Sequence, residues 1–159
     1  MTFAISDMKI LSEDLKHGER IADKHSHDGG NVSPGLRWEN LPDGTKSVAL
    51  FCHDPDAPLV SATGNYGFVH WLAYNIPPAA TGVRQGSRDY AQGLNNFDGT
   101  GYGGPKPPPG HGRHHYFFWV LALDLEPALP DGLELAEFLE KVEPHVLGMN
   151  RLMAHYEVS

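Results

Sequence analysis

Histidine and tyrosine side chains, which can donate hydrogen bonds to a polar ligand, lie together where a proline-rich segment meets an apolar one. Residues 104–113 read GPKPPPGHGR, and His114, His115 and Tyr116 follow directly. Because proline fixes φ and lacks an N–H group, this segment should be stiff and should not form a central strand. Side chains alternate in an extended chain, so His114 and Tyr116 should face one side and His115 the other. Such a cluster beside a rigid rim is typical of a small polar-ligand pocket.

Two aspartates follow the predicted strand at residues 47–53, and Pro55 lies between them. Asp54 has two interpretations. Its carboxylate could cap the turn after the strand, or it could hydrogen-bond to a histidine of the pocket. Asp56, two residues further on, is the better candidate for the cap. If Asp54 contacts a histidine, the carboxylate favours the protonated ring, which is then a charge-assisted hydrogen-bond donor.

His70 lies in the middle of the predicted strand at residues 67–76, among aromatic residues. Regular alternation places it on the face that carries Phe68, Leu72 and Tyr74. A lone histidine in this position is more often a hydrogen-bonded core residue than a ligand, so the pattern alone leaves both interpretations open.

Metal binding and nucleophilic catalysis are the other chemistries that these residue types permit. The histidines at 111, 114 and 115 could bind zinc, but His114 and His115 face opposite ways, and no carboxylate or second histidine lies at a helical spacing nearby. Cys52 and His53 are adjacent strand residues with opposite directions, so they cannot form a nucleophile–base pair. We therefore predict no metal site, no cofactor and no catalytic activity.

Composition narrows the class of protein. The 159 residues fit a single domain, and 18 glycines with 13 prolines favour an all-β architecture with many turns. A net charge of −8 without a basic run makes a nucleic-acid partner unexpected. A single cysteine, no apolar segment long enough to span a bilayer and no signal-peptide pattern predict a cytoplasmic protein without a transmembrane segment.

Periodicity predicts several strands and one helix. The expected strands cover residues 3–10, 47–53, 67–76, 116–124 and 151–158, with a further short one around 20–22. The residues Leu135, Phe138, Leu139 and Val142 recur at helical spacing, so an amphipathic helix should begin near Glu134. We expect Pro144 to kink or restart the helix and Gly148 to end it. Residues 79–104 form a long, glycine-rich connection of the kind that is usually functional.

Four sequence blocks, in this order and spacing, resemble the phosphatidylethanolamine-binding protein family, in particular its bacterial branch of Raf kinase inhibitor-like proteins. The blocks are Ser33-Pro34 with Leu36 and Trp38, then Asp54 to Pro58, then His70-Trp71 with Asn75 to Pro77, and finally Gly104-Pro105 with Pro107-Pro108 and His114-His115-Tyr116. They cover about residues 30 to 124. His115 departs from the family pattern, which usually has arginine there.

The resemblance implies a β-sandwich of two antiparallel sheets with one or two short helices, mainly near the C-terminus. It also implies a pocket for a small anion such as phosphate, a phosphomonoester head group or a carboxylate. Carried over by position, the ligand-binding residues are Asp54, His70, Pro107, Pro108, His114 and Tyr116, and the supporting residues are Phe68, Trp71 and Asp56.

The resemblance also implies partners, and it leaves alternative functions open. Family members are described as inhibitors of protein kinases and proteases, so the chain could act as an interaction module in which the pocket is secondary. A weak phosphoester hydrolase that uses His70 or His114 as a base is the other alternative. The oligomeric state that is usual in the bacterial branch, together with the aromatic content of this small acidic chain, predicts a homodimer.

Overall fold

Two antiparallel β-sheets make up most of the structure, a computed structural model that describes residues 3–57 and 66–159. The strands are β1 (Lys9–Leu11), β2 (Leu36–Glu39), β3 (Ser47–Asp54), β4 (Phe68–Ile76), β5 (Gly82–Val83), β6 (Ala91–Gln92), β7 (His114–Leu123) and β8 (Val146–Tyr156). One sheet has the strand order β1-β2-β5 and the other has the order β6-β4-β3-β7-β8. The helix α1 (Leu135–Val142) lies between β7 and β8 in the chain. The predicted fold class is confirmed.

The core has two parts, one on each face of the five-stranded sheet. Val48, Leu50 and Cys52 of β3 belong to the part that also contains Leu36 and Trp38 from the smaller sheet. The other part packs the opposite face of β3 against the apolar stripe of α1, including Phe138 and Val142. Strand β3 is therefore buried on both faces, as its nearly continuous apolar sequence predicts.

The N-terminal segment covers the outer edge of β8, the last strand of the larger sheet. The amide of Ser6 donates to the carbonyl of Met149 at 2.8 Å, and the amide of Gly18 donates to Met153 at 2.7 Å. His155 exchanges hydrogen bonds with this segment in both directions, through Glu19 and Ile21. Strands were expected at residues 3–10 and around 20–22. In these ranges only Ile5 and Arg20 form isolated bridges to β8, and the one strand is β1 at Lys9–Leu11.

The C-terminal elements differ from the sequence prediction. A short 3₁₀ helix at Glu143–His145 follows α1, as expected for a proline at position 144. Gly148 was predicted to end the helix, and this was wrong, because it lies inside β8 and pairs with Ala122. A Cβ atom at Gly148 would lie 2.8 Å from Oγ of Ser6 and 3.0 Å from Pro42, so the glycine permits close packing rather than helix termination.

Candidate anion-binding site

A cavity of about 210 Å³ lies where β3 ends and β4 and β7 begin. Its lining residues are Asp54, Ala57, Phe68, His70, Phe97, Lys106, Pro107, Pro108, His114 and Tyr116. The structure thus brings together all six predicted ligand-binding residues with the supporting residue Phe68. Trp71, also predicted as support, does not line the cavity but is buried in the core, where its ring meets Tyr102 edge-on.

A β-bulge directs His70 into the cavity. Cys52 of β3 pairs with Trp71, and the next residue, His53, pairs with Val69, so His70 has no partner on β3. Because of this extra residue, Leu72 and Tyr74 face the α1 side of the sheet, whereas the ring of His70 lies 4.7 Å from that of Phe68. The predicted common face of His70, Leu72 and Tyr74 was wrong for this reason.

The ring of His70 is neutral in this environment. Its Nδ1 atom lies 2.7 Å from the carbonyl oxygen of Gly103, which can only accept, so Nδ1 carries the proton. Burial lowers the pKa of His70 to about 4, although the hydrogen bonds to backbone carbonyls oppose this shift. His70 is therefore a neutral ring and not a charge-assisted donor.

Asp54 and His114 form a buried pair in the cavity wall. Nδ1 of His114 donates to Oδ2 of Asp54 at 2.7 Å, and the two side chains are 4% and 3% exposed. Oδ1 of Asp54 accepts the backbone N–H of Asp56 at 2.8 Å. Asp54 thus both caps the turn and orients the histidine, and the assignment of the cap to Asp56 was wrong.

Asp56 forms a second pair, with His115, outside the cavity. Its Oδ2 atom accepts the N–H of His115 and lies 2.7 Å from Nδ1 of the same residue. Burial acts to raise the pKa of Asp56, but the hydrogen bonds from His115 outweigh it and the pKa is lowered. His115 therefore points away from His114, as the alternation of an extended chain predicts.

Tyr116 supplies a hydroxyl to the cavity. Burial, and then the carboxylate of Asp54, raise the pKa of Tyr116 above its ordinary value, so the hydroxyl stays protonated. Its ring packs edge-on against His70, with 5.1 Å between the ring centroids. Tyr116 can therefore donate a hydrogen bond to an anion.

Sequence reasoning missed four residues near the cavity. Phe97 comes from the long connection and stacks on His27, and Lys106 lies 3.5 Å from Asp28 at the rim. Ala57 completes the lining. His111 was considered only as a metal ligand, yet its Nδ1 atom lies 2.8 Å from Nε2 of His114.

Two other predictions about this region concern metals and the turn after β3. Among residues 3–57 and 66–159, no cluster of three or more histidine, cysteine, aspartate or glutamate side chains could hold a metal ion. Pro58, the last residue of the Asp54 to Pro58 block, lies outside the described residues.

The fold agrees with the comparisons to known proteins. A family model described as phosphatidylethanolamine-binding protein matches residues 11–157. The chain belongs to this family. Within the described part of the chain, no helix is long and apolar enough to cross a membrane.

Individual relatives span most of the chain. A UPF0098 protein of Methanothermobacter thermautotrophicus is 40% identical over 156 residues, covering 94% of this chain and 98% of that protein. YbhB of Escherichia coli is 38% identical over 135 residues, covering 75% and 80%.

Solved structures show the same architecture. The crystal structure of Escherichia coli YbcL, described as a new member of the mammalian PEBP family, is 31% identical with a TM-score of 0.87 and covers 97% of this chain and 100% of YbcL. Carboxypeptidase Y inhibitor, solved in complex with its cognate proteinase, is 16% identical with a TM-score of 0.55, and it covers 96% of this chain and 83% of that one. That likeness is one of fold alone.

Proposed function

We propose that this protein binds a small anion, either phosphate or a phosphomonoester head group, in the cavity beside Asp54, His70, His114 and Tyr116. The observation that carries the proposal is the buried pair of Asp54 and His114, which fixes an imidazole in the cavity wall next to the Tyr116 hydroxyl. Pro107 and Pro108 form a stiff rim, which reduces the entropy lost when a ligand orders its site.

The role proposed is binding rather than catalysis. Burial raises the pKa of the Cys52 thiol well above its ordinary value, and burial raises that of Tyr116, so neither is an ionised nucleophile. Both oxygens of Asp54 already accept hydrogen bonds. Turnover of a generic phosphomonoester that disappears in His114→Ala would instead establish a hydrolase.

Titration calorimetry or ³¹P NMR with phosphoethanolamine tests this proposal. His114→Ala should weaken binding by about 1.5–3 kcal/mol, because it leaves the Asp54 carboxylate without its buried donor and so more repulsive to an anion. His115→Ala is the matched control, since this histidine is the next residue but faces Asp56 outside the cavity. Equal affinity in the wild type and His114→Ala would overturn the assignment of the site.

A regulatory role through a protein kinase or protease is the second candidate, and it is favoured by the fold shared with carboxypeptidase Y inhibitor. Capture of a kinase or protease by the wild-type protein, followed by a measurement of inhibition, tests this role. Retention of the inhibition in His114→Ala would place the contact on the surface rather than in the cavity.

A further inference from the structure

The cavity wall contains a hydrogen-bond acceptor, Nε2 of His70, and the carboxylate of Asp54, but few free hydrogen-bond donors. Resting on the proposed function, we propose that it selects oxyanions that still carry a proton, such as hydrogen phosphate or the monoanion of a phosphomonoester, over fully ionised oxyanions such as sulfate.

The first reason is the orientation of the His70 ring. Gly103 holds the proton on Nδ1, so Nε2 has a lone pair and acts as an acceptor. Within residues 3–57 and 66–159, Nε2 of His70 has no hydrogen-bond partner, and the ring lines the cavity. The rings of Phe68, Phe97 and Tyr116 pack around this imidazole, so protonation of Nε2 would create a poorly solvated charge. A ligand hydroxyl can donate to Nε2, but a bare oxyanion oxygen cannot.

The second reason is that the neighbouring groups are already engaged or negatively charged. Asp54 contributes a carboxylate to the lining, which repels a ligand in proportion to its charge. His114 donates through Nδ1 to Asp54, and its Nε2 atom is bonded to His111. The Tyr116 hydroxyl is left as a donor in the wall, with the Lys106 ammonium group at the rim near Asp28.

Titratable groups approach His70 from three parts of the chain. Asp54 and His53 approach it from β3, His114 and Tyr116 from β7, and Lys106 from the proline-rich segment. His53 and His114 both act to keep the pKa of His70 low, in the same direction as burial. Both effects favour the neutral His70 ring, in which Nε2 is an acceptor.

Three charge-matched probes separate this proposal from the proposed function. Near pH 8, sulfate, methyl phosphate and inorganic phosphate are all mainly tetrahedral dianions. Methyl phosphate has lost its last proton, because the second ionisation of phosphomonoesters lies near 6, whereas hydrogen phosphate still has an O–H group. Calorimetry with the wild-type protein should show inorganic phosphate binding at least about tenfold tighter than either of the other two, as expected for one satisfied hydrogen bond to a buried acceptor.

Each outcome decides a different question. Equal affinities for the three dianions would overturn proton selection and leave the proposed function intact. Failure of all three to bind would overturn both. A repeat with methyl phosphate near pH 5, where it carries its proton, should recover the tenfold gain relative to sulfate.

A variant and a spectroscopic measurement test the role of His70 itself. His70→Gln provides an N–H donor in place of the acceptor, so the preference for hydrogen phosphate over sulfate should fall at least about threefold. His115→Gln is the matched control and should keep the preference. If His70→Gln does not fold, ¹⁵N NMR of the wild type still decides the point: a protonated Nε2 in the free protein at neutral pH would overturn the proposal.

Discussion

One carboxylate holds both the turn after β3 and the histidine at the start of β7: Oδ2 of Asp54 accepts from Nδ1 of His114, and Oδ1 accepts from the amide of Asp56. The first residue of β7 is thereby tied to the last residue of β3 at the point where the cavity opens. Fold and candidate site are therefore coupled at this residue, and loss of its charge should affect both.

Asp54→Asn should lower the free energy of unfolding by about 1.5–3 kcal/mol, because a buried charged hydrogen bond is replaced by a neutral one. Urea denaturation measures the change. Asp124→Asn is the matched control, since Asp124 pairs with His145 at 2.8 Å but both side chains are well exposed. The control should lose less than about 1 kcal/mol. Equal losses in the two variants would show that burial does not make the contribution of Asp54 to the free energy of unfolding larger than that of an exposed pair.

Acid should destabilise the protein before most carboxylates titrate. Burial lowers the pKa of His70 from 6.5 to about 4 in the folded chain, so between these values the unfolded chain binds more protons. The free energy of unfolding should therefore fall by about 3 kcal/mol as the pH drops from 6.5 to 4, and this contribution should be constant above 6.5.

Urea denaturation at a series of pH values checks the effect of His70. His70→Gln should lack this part of the pH dependence. Burial also lowers the pKa of His155, so His155→Gln is a useful second comparison and should change the curve less than His70→Gln, because this side chain is only partly buried. Identical curves for the wild type and His70→Gln would contradict the buried, neutral histidine.

Gly103→Ala should damage both stability and anion binding. A Cβ atom at this position would lie 2.3 Å from the ring of Phe97, which lines the cavity. Gly99→Ala is the control, because its Cβ would make only ordinary contacts with Asn95 at 3.9 Å. Thermal and urea denaturation should show a loss of about 1–3 kcal/mol for Gly103→Ala and less than about 0.5 kcal/mol for Gly99→Ala. Similar losses would mean that Phe97 moves aside freely.

His111→Ala should tighten the binding of inorganic phosphate by up to about fivefold. The reason is that Nε2 of His114 loses its partner in the free protein, and one net hydrogen bond is worth about 1 kcal/mol. Calorimetry measures the change, and His145→Ala, remote from the cavity, serves as the control. Weaker binding in His111→Ala would instead indicate that His111 contacts the ligand directly.

The homodimer stays a prediction from the sequence. Phe117 and Trp119 are half-buried on the outer face of β7, and Arg151 lies over the Trp119 ring at 5.2 Å. Sedimentation at micromolar concentration should give the mass of two chains. A single species of 17.5 kDa would rule the dimer out at that concentration.

Much of the site could be predicted because its signals are local. Prolines end β3 and stiffen the rim, and the two-residue alternation of an extended chain separates His114 from His115. The long apolar runs of β3, β4 and β7 also define the larger sheet. The grouping of Asp54 and His70 with His114 required the family pattern, since these residues are far apart in sequence.

The remaining features depend on contacts that a sequence does not display. Regular alternation of side chains does not predict the β-bulge that leaves His70 without a partner on β3. The predicted face of Leu72 and Tyr74 was wrong for this reason. The bond between His111 and His114 depends on the path of a loop, and β5 and β6 are too short for a periodic signal. Gly148 matched a helix terminator by type, but pairing with β7 determined its conformation.

The N-terminal segment that pairs with β8 also has a consequence for association between molecules. An uncovered edge strand of eleven residues would offer its backbone groups to any other chain with a free edge, which is a common route to aggregation. Here the amides of Ser6 and Gly18 occupy carbonyl groups along that edge. The segment thus blocks the pairing of β8 with another molecule. If it detached, the exposed edge of β8 could pair with strands of other chains.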